Sequence, residues 1–203
     1  MNRLFDAPVR YLISSGSLTS TNFNSEKVRL LETLRLAVEA GIELVQIREK
    51  LLSARHLFEL AVDAAAIVGG TSTRVLLNER FDIAIAAGLD GVHLTSTSIS
   101  VERVRENVPD GFLIGVSTHS TSAVAAARDS GADFALLGPV FATPGKGDPI
   151  GSEELGSICG SVAPFPVIGV GGIDASNSQA VIDSGAAGYA AIRYLNDFVR
   201  MAR

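Results

Sequence analysis

The chain has a single cysteine, Cys159, and no tryptophan. One thiol cannot close an intramolecular disulfide, and no Cys or His cluster has the spacing of a structural zinc site, so a disulfide-stapled secreted domain and a zinc module are both excluded. A reducing, cytoplasmic setting fits. Basic excess is also missing: 17 Lys and Arg against 22 Asp and Glu leave a formal charge of -5. No general field therefore attracts a nucleic-acid backbone or an anionic membrane, and any phosphate recognition must be local. No uncharged apolar run reaches about 18 residues, and no long apolar stretch follows Met1-Asn2-Arg3-Leu4-Phe5-Asp6-Ala7-Pro8, so neither a membrane span nor a signal peptide is expected. Disorder is excluded by a hydrophobic share of 47%. A chain of 203 residues can bury a sizeable core, and the expectation is one domain over residues 1–203.

What is present is an alternation. Eight short runs rich in Val, Ile and Leu read as strands buried on both faces: Val9 to Ser15, Ile42 to Arg48, Arg74 to Asn78, Gly91 to Leu94, Phe112 to Thr118, Phe134 to Phe141, Phe165 to Gly171 and Gly188 to Ile192. Between them lie segments of helical period: Glu26 to Ala40, Ala54 to Val68, Phe81 to Ala87, Val101 to Asn107, Ser122 to Ser130, Ser152 to Cys159 and Ala175 to Ser184. The junctions repeat, as Ala40-Gly41-Ile42-Glu43-Leu44, Ala87-Gly88-Leu89-Asp90-Gly91, Ser130-Gly131-Ala132-Asp133-Phe134 and Ser184-Gly185-Ala186-Ala187-Gly188. Each Gly suits the left-handed position that ends a helix. The pattern predicts an α/β protein, a compact (β/α)8 TIM barrel. A doubly wound open sheet is the rival, but Ser14-Ser15-Gly16-Ser17 after the first strand is no dinucleotide turn.

In such a barrel the functional groups belong at the C-terminal ends of the strands. After strand two comes Gln46-Ile47-Arg48-Glu49-Lys50, whose alternation puts Gln46, Arg48 and Lys50 on one side. Two cations and an amide suit a diphosphate or another anion, and the alternative is that Arg48 and Glu49 are part of an internal ion-pair layer of the barrel. Strand three ends in Asn78-Glu79-Arg80, where Glu79 is a magnesium ligand, a general base or the partner of Arg80. The hydroxyl run Thr95 to Ser98 follows strand four, and Ser117-Thr118-His119 closes strand five with His119 at the mouth, either a hydrogen-bonded structural group or a catalyst. Gly138 to Gly147 reads as an active-site loop with Lys146 near its tip, or as a solvated loop. Gly171 and Gly172 would let backbone N–H groups approach a phosphate after strand seven.

Taken in order, Gln46-Ile47-Arg48-Glu49-Lys50, Asn78-Glu79-Arg80, Gly91-Val92-His93-Leu94, Gly115-Val116-Ser117-Thr118-His119, Gly138 to Thr143-Pro144 with Lys146, and Gly171-Gly172-Ile173 resemble the thiamine-phosphate synthase superfamily, which includes the TenI-type thiazole tautomerases. The resemblance runs from about Tyr11 to Ile192. It implies a (β/α)8 barrel that joins hydroxymethylpyrimidine diphosphate to thiazole phosphate and releases pyrophosphate with the help of magnesium. It further implies that Gln46, Arg48, Lys50 and Asn78 hold the pyrimidine diphosphate, that Ser117 and Lys146 contact the departing pyrophosphate, and that Thr143, Gly171 and Gly172 meet the thiazole phosphate. The ligands implied are small phosphorylated molecules, and association with further copies of the chain is left open.

Three positions depart from the synthase pattern. Glu79 stands where an aspartate is usual, and Ser98 where a second metal-binding aspartate is usual, which leaves Glu79 as the metal ligand. Near the end of strand eight, where the family offers a phosphate-binding serine after Ile, this sequence has Ile192-Arg193, and Arg193 either contacts phosphate or fills the pocket. The tautomerase branch works without metal and uses a histidine as acid and base, a role open to His119. A non-catalytic paralogue that binds a phosphorylated ligand would keep Gly171-Gly172 and lose metal ligands. The synthase is the reading carried forward.

Overall fold

The computed structural model describes residues 8–201. Residues 1–7, on which the signal-peptide expectation partly falls, and residues 202–203 of the expected domain span lie outside the described part.

Eight parallel strands form one closed ring in chain order: β1 (Val9–Ile13), β2 (Leu44–Ile47), β3 (Arg74–Asn78), β4 (Gly91–Leu94), β5 (Leu113–Thr118), β6 (Phe134–Leu137), β7 (Val167–Val170) and β8 (Gly188–Ala191). The ring closes between β1 and β8, where Tyr11 pairs with Ala190. Each strand is followed by a helix: α1 (Phe23–Glu39), α2 (Ala54–Val68), α3 (Phe81–Ala87), α4 (Val101–Arg105), α5 (Thr121–Asp129), α6 (Gly151–Val162), α7 (Ser178–Asp183) and α8 (Arg193–Met201). Because side chains alternate along a strand, each strand serves two cores. Val9, Tyr11, Leu44, Leu76, Leu113, Phe134 and Ile168 fill the interior, while Leu12, Val45, Val75, Val92, Ile114 and Leu137 pack outward on the helices.

The junction repeat has two physical uses. Gly41, Gly88, Gly131 and Gly185 all take left-handed backbone, with φ of 67°, 73°, 89° and 88°. The acid two residues later clamps the preceding strand: Glu43 Oε2 accepts from Arg10 N–H at 2.9 Å, Asp90 Oδ2 from Val75 N–H at 2.7 Å and Asp133 Oδ2 from Ile114 N–H at 2.7 Å. Arg10 and Arg105 neutralise the first and third of these acids at 2.9 and 2.6 Å. Charged groups at the N-terminal end of the barrel thus belong to the scaffold.

The structure corrects two expectations. Strand six was expected to run to Phe141, but β6 stops at Leu137 because Gly138-Pro139 leaves the ladder, after which Val140 and Phe141 donate instead to the carbonyls of Val170 and Gly171 at 2.8 and 3.0 Å. Beyond β8 the sequence reading named no helical segment, although a (β/α)8 barrel calls for one. There α8 buries Leu195 and Val199 and leaves Arg193, Asp197 and Arg200 exposed. Among the described residues no helix is long and apolar enough to cross a membrane.

Candidate functional site

Closure of a parallel ring puts the ends of all eight strands at one mouth, and every site residue expected from the sequence is at such an end or in the segment that leads from it to the next helix, Arg193 at the very start of α8. By alternation Gln46, Asn78, His93 and Ser117 continue the interior rows begun by Leu44, Leu76, Gly91 and Leu113, so they form the polar upper layer of an apolar interior.

On the β2–β4 side that layer is a connected network. Gln46, 2% exposed, donates to Asn78 Oδ1 at 3.2 Å, and Asn78 donates to Glu79 Oε2 at 3.2 Å. Glu79 Oε1 accepts from Thr95 Oγ1 at 2.8 Å and from Ser98 Oγ at 3.0 Å. Its backbone is left-handed, with φ 62°, an arrangement that costs a non-glycine residue free energy and that the network must hold in place. The Thr95 hydroxyl does most to hold the Glu79 carboxyl below the usual carboxylate range; half-burial opposes it, and Ser98, the charge of Lys50 and Asn78 add to the lowering. Glu79 is not the partner of Arg80, which pairs with Asp82 at 2.6 Å.

The β2 end also differs from expectation. Because β2 stops at Ile47, strand alternation does not reach Arg48 and Lys50: Gln46 is buried, Arg48 half-buried and Lys50 exposed. Neither Arg48 nor Glu49 enters an ion-pair layer among the described residues. The buried Glu49 carboxylate instead accepts from Ser14 Oγ at 2.6 Å, Gly16 N–H at 3.1 Å and Leu18 N–H at 2.8 Å, fixing the loop after β1 beside Arg48.

Inside the ring, His93 sits between Tyr11 and Ser117, with Nδ1 3.3 Å from the Tyr11 hydroxyl and Nε2 2.9 Å from Ser117 Oγ. Burial, helped by the charge of Arg48, pushes its pKa down to about 3, so the ring is neutral. Gly115 leaves room for it, since a Cβ there would stand 2.9 Å from His93 Nδ1 and 2.3 Å from the Phe134 ring.

On the β5–β7 side, backbone and loop dominate. His119 Nδ1–H donates to the carbonyl of Gly138 at 2.6 Å, which leaves Nε2 without a partner among the described residues, and His119 shares a cavity of about 380 Å³ with Lys146, Pro139, Asp148 and Ile150. Thr143 Oγ1 lies 3.1 Å from the place of a Cβ on Gly171, so Thr143 and Gly171 are neighbours. Gly171 and Gly172 have φ of 101° and 63°, and a Cβ would meet Pro139 Cα at 2.7 Å or the Ala142 carbonyl at 2.6 Å. The glycine pair is therefore required by the close approach of the β6 loop in addition to any ligand. Arg193 is exposed as the first residue of α8. A larger cavity of about 690 Å³ on the flank, between α1 and α8, contains none of the site residues expected from the sequence.

Sequence reasoning assigned no role to Tyr11 or His93, and it offered Glu49 only for an ion-pair layer and Thr95 only as a phosphate donor, whereas Glu49 holds the loop after β1 and Thr95 holds Glu79. A histidine at an inward position opposite a glycine was the available signal for His93; Tyr11 carried none, because its partner lies 82 residues away. For magnesium, no group of three or more His, Cys, Asp or Glu among the described residues could hold a metal. One ionised carboxylate whose Oε2 accepts a single hydrogen bond nevertheless fits an ion that draws its other ligands from phosphate oxygens and water.

Residues 12–195 match the family model described as thiamine monophosphate synthase. A putative thiamine-phosphate synthase of Geobacter sulfurreducens is 42% identical over 166 residues, 80% of this chain and 78% of the relative. The thiamine-phosphate synthase of Methanoculleus marisnigri is 41% identical over 161 residues, covering 78% and 76%. Among solved structures, the thiamine phosphate pyrophosphorylase of Pyrococcus furiosus superposes with a TM-score of 0.78 at 28% identity, over 94% of this chain and 91% of that one.

Proposed function

The chain belongs to the thiamine monophosphate synthase family, and from that premise we propose how its mouth divides the work of the family's reaction. It is a thiamine-phosphate synthase, an enzyme of thiamine biosynthesis. The reaction joins hydroxymethylpyrimidine diphosphate to thiazole phosphate and expels pyrophosphate.

Breaking the bond between the pyrimidine's methylene carbon and the diphosphate oxygen builds negative charge on the leaving group, so groups already aimed at that oxygen lower the barrier. Arg48, Lys50 and Asn78 bind the diphosphate on the β2–β3 side while Gln46 sets the orientation of Asn78. Ser117 and Lys146 contact the pyrophosphate as it leaves, Lys146 from the loop after β6, where it is exposed. Thr143, the amides of Gly171 and Gly172, and Arg193 receive the thiazole phosphate, a division that sets backbone donors against a phosphate and side-chain cations against a diphosphate. Glu79 would hold magnesium jointly with diphosphate oxygens, and the bound ion would supply further positive charge to the leaving group. His119 serves in this reading to fix the Gly138 carbonyl and the loop beyond it.

The observation that carries the reading is the Gln46–Asn78–Glu79–Thr95–Ser98 network, which holds one carboxylate ionised beside Lys50 at the mouth. The test is incubation with both substrates, with and without magnesium, following pyrophosphate. Release that needs both substrates and stops in EDTA is expected. Release that persists in EDTA overturns the role of Glu79, and no release under any condition overturns the synthase. A specific observation favours one second reading: the Nε2 of His119, without a partner among the described residues, suits in the Lys146 cavity a metal-independent tautomerase. There His119→Ala would remove on the order of 10²- to 10⁴-fold of rate, whereas in the synthase it costs less than about tenfold.

A further inference from the structure

A buried hydroxyl must place its proton on an acceptor, because an orphaned donor inside a protein costs about 1–3 kcal/mol. Tyr11 is 0% exposed, and its hydroxyl has a single hydrogen-bond partner among the described residues, His93 Nδ1. The Tyr11 proton therefore points at Nδ1, which must offer its lone pair. A neutral imidazole carries one N–H, so the ring proton is on Nε2. Nε2–H then donates to Ser117 Oγ at 2.9 Å, which occupies a lone pair of that oxygen and leaves its own proton unused. Ser117 is half-buried at the end of β5, and its hydroxyl has no other partner among the described residues.

The opposite tautomer fails on the same accounting. With the proton on Nδ1, Tyr11 would accept and its O–H would have nowhere to go, and Ser117 would spend its proton on Nε2 and offer the mouth only lone pairs. An anion placed against those lone pairs would be repelled.

We propose that Tyr11 and His93 are positioning residues which fix the hydroxyl of Ser117 as a hydrogen-bond donor toward the mouth, so that this position selects an anionic oxygen over a donor group. The inference rests on the reading of Ser117 as a diphosphate contact and adds the two residues behind it. Phe134 packs beside the pair, edge-on to Tyr11 at 5.8 Å and tilted against the imidazole at 6.3 Å, and the absence of a side chain on Gly115 leaves the room in which the imidazole reaches Ser117.

The first test needs no substrate. In protein labelled with ¹⁵N-histidine, NMR should find the His93 proton on Nε2, and in Tyr11→Phe the two tautomers should mix; a proton on Nδ1 in the wild-type protein overturns the proposal whether or not the synthase reading holds. The second test is kinetic. Tyr11→Phe should raise KM for the pyrimidine diphosphate about three- to tenfold with KM for the thiazole phosphate unchanged, and it should have no further effect in a Ser117→Ala background. An equal loss in both backgrounds would mean that Tyr11 acts through the core alone and would overturn the relay. His93→Gln, whose amide can accept from Tyr11 and donate to Ser117, should retain most of the diphosphate affinity that His93→Leu loses; equal losses in the two would also overturn it.

Discussion

The two ends of the barrel use carboxylates differently. At the N-terminal end Glu43 and Asp133 are each satisfied twice over, by a strand N–H and by an arginine, so nothing is left for a ligand. At the mouth Glu79 is held by neutral hydroxyls and an amide, with the exposed Lys50 near enough to act on its charge without forming an ion pair. A carboxylate closed by an arginine stabilises a fold. One closed by hydroxyls keeps its net charge and can still act on an incoming cation or repel an anion.

The sharpest way to break this contrast is at the mouth. Lys146→Ala should lower kcat on the order of 10²- to 10³-fold with the unfolding midpoint unchanged, as rate measurements beside denaturant melts would check. A loss of stability instead of rate would make the loop lysine a scaffold group. The mirror experiment is Asp133→Ala, which orphans the Ile114 N–H and leaves Arg105 without its carboxylate. It should cost about 1–3 kcal/mol of unfolding free energy and leave KM for both substrates in place. The smallest effect is expected of Ser98→Asp, which replaces a donor to Glu79 with a like charge. The magnesium concentration for half-maximal rate should fall about tenfold. Because the second carboxylate raises the pKa of Glu79, activity at limiting magnesium should also begin to fail at a higher pH than in the wild-type protein. An unchanged magnesium requirement would mean that Glu79 is closed as firmly as Glu43.

The barrel was legible because the helix-to-strand junction is written four times, each with a Gly at the left-handed end of a helix; the acid two residues on, present in three of the four, was not read. The limits of α2, α3, β3 and β4 match the sequence reading residue for residue. The end of β6 was misread because Val140 and Phe141 look like strand, and they do pair onward with β7, while Gly138-Pro139 takes them out of the ladder. Helix α8 escaped notice because its buried stripe is narrow, Leu195 and Val199 alone, in a helix that also carries Arg193, Asn196, Asp197 and Arg200. For the site, the rule that chemistry gathers at the C-terminal strand ends named residues that the fold does set around one mouth. It could not find the groups behind them. Which hydroxyl meets which imidazole depends on the stagger between β4 and β5, where His93 pairs with Gly115 and so reaches Ser117, and single-strand patterns carry no stagger.

The interior histidine also sets an acid limit on the whole molecule. Unfolded, His93 takes up a proton near pH 6.5, but in the folded protein it resists protonation down to about pH 3. Between those values the unfolded chain binds the extra proton, so stability falls as pH falls, by about 1.4 kcal/mol per pH unit once pH is well below 6.5. Above pH 6.5 neither state is protonated at this site and the histidine adds no pH dependence. Melting His93→Gln beside the wild-type protein from pH 7 to pH 4 should find the variant's stability flatter over that range. A residue placed to orient one hydroxyl would thereby also decide how acidic a solution the barrel survives.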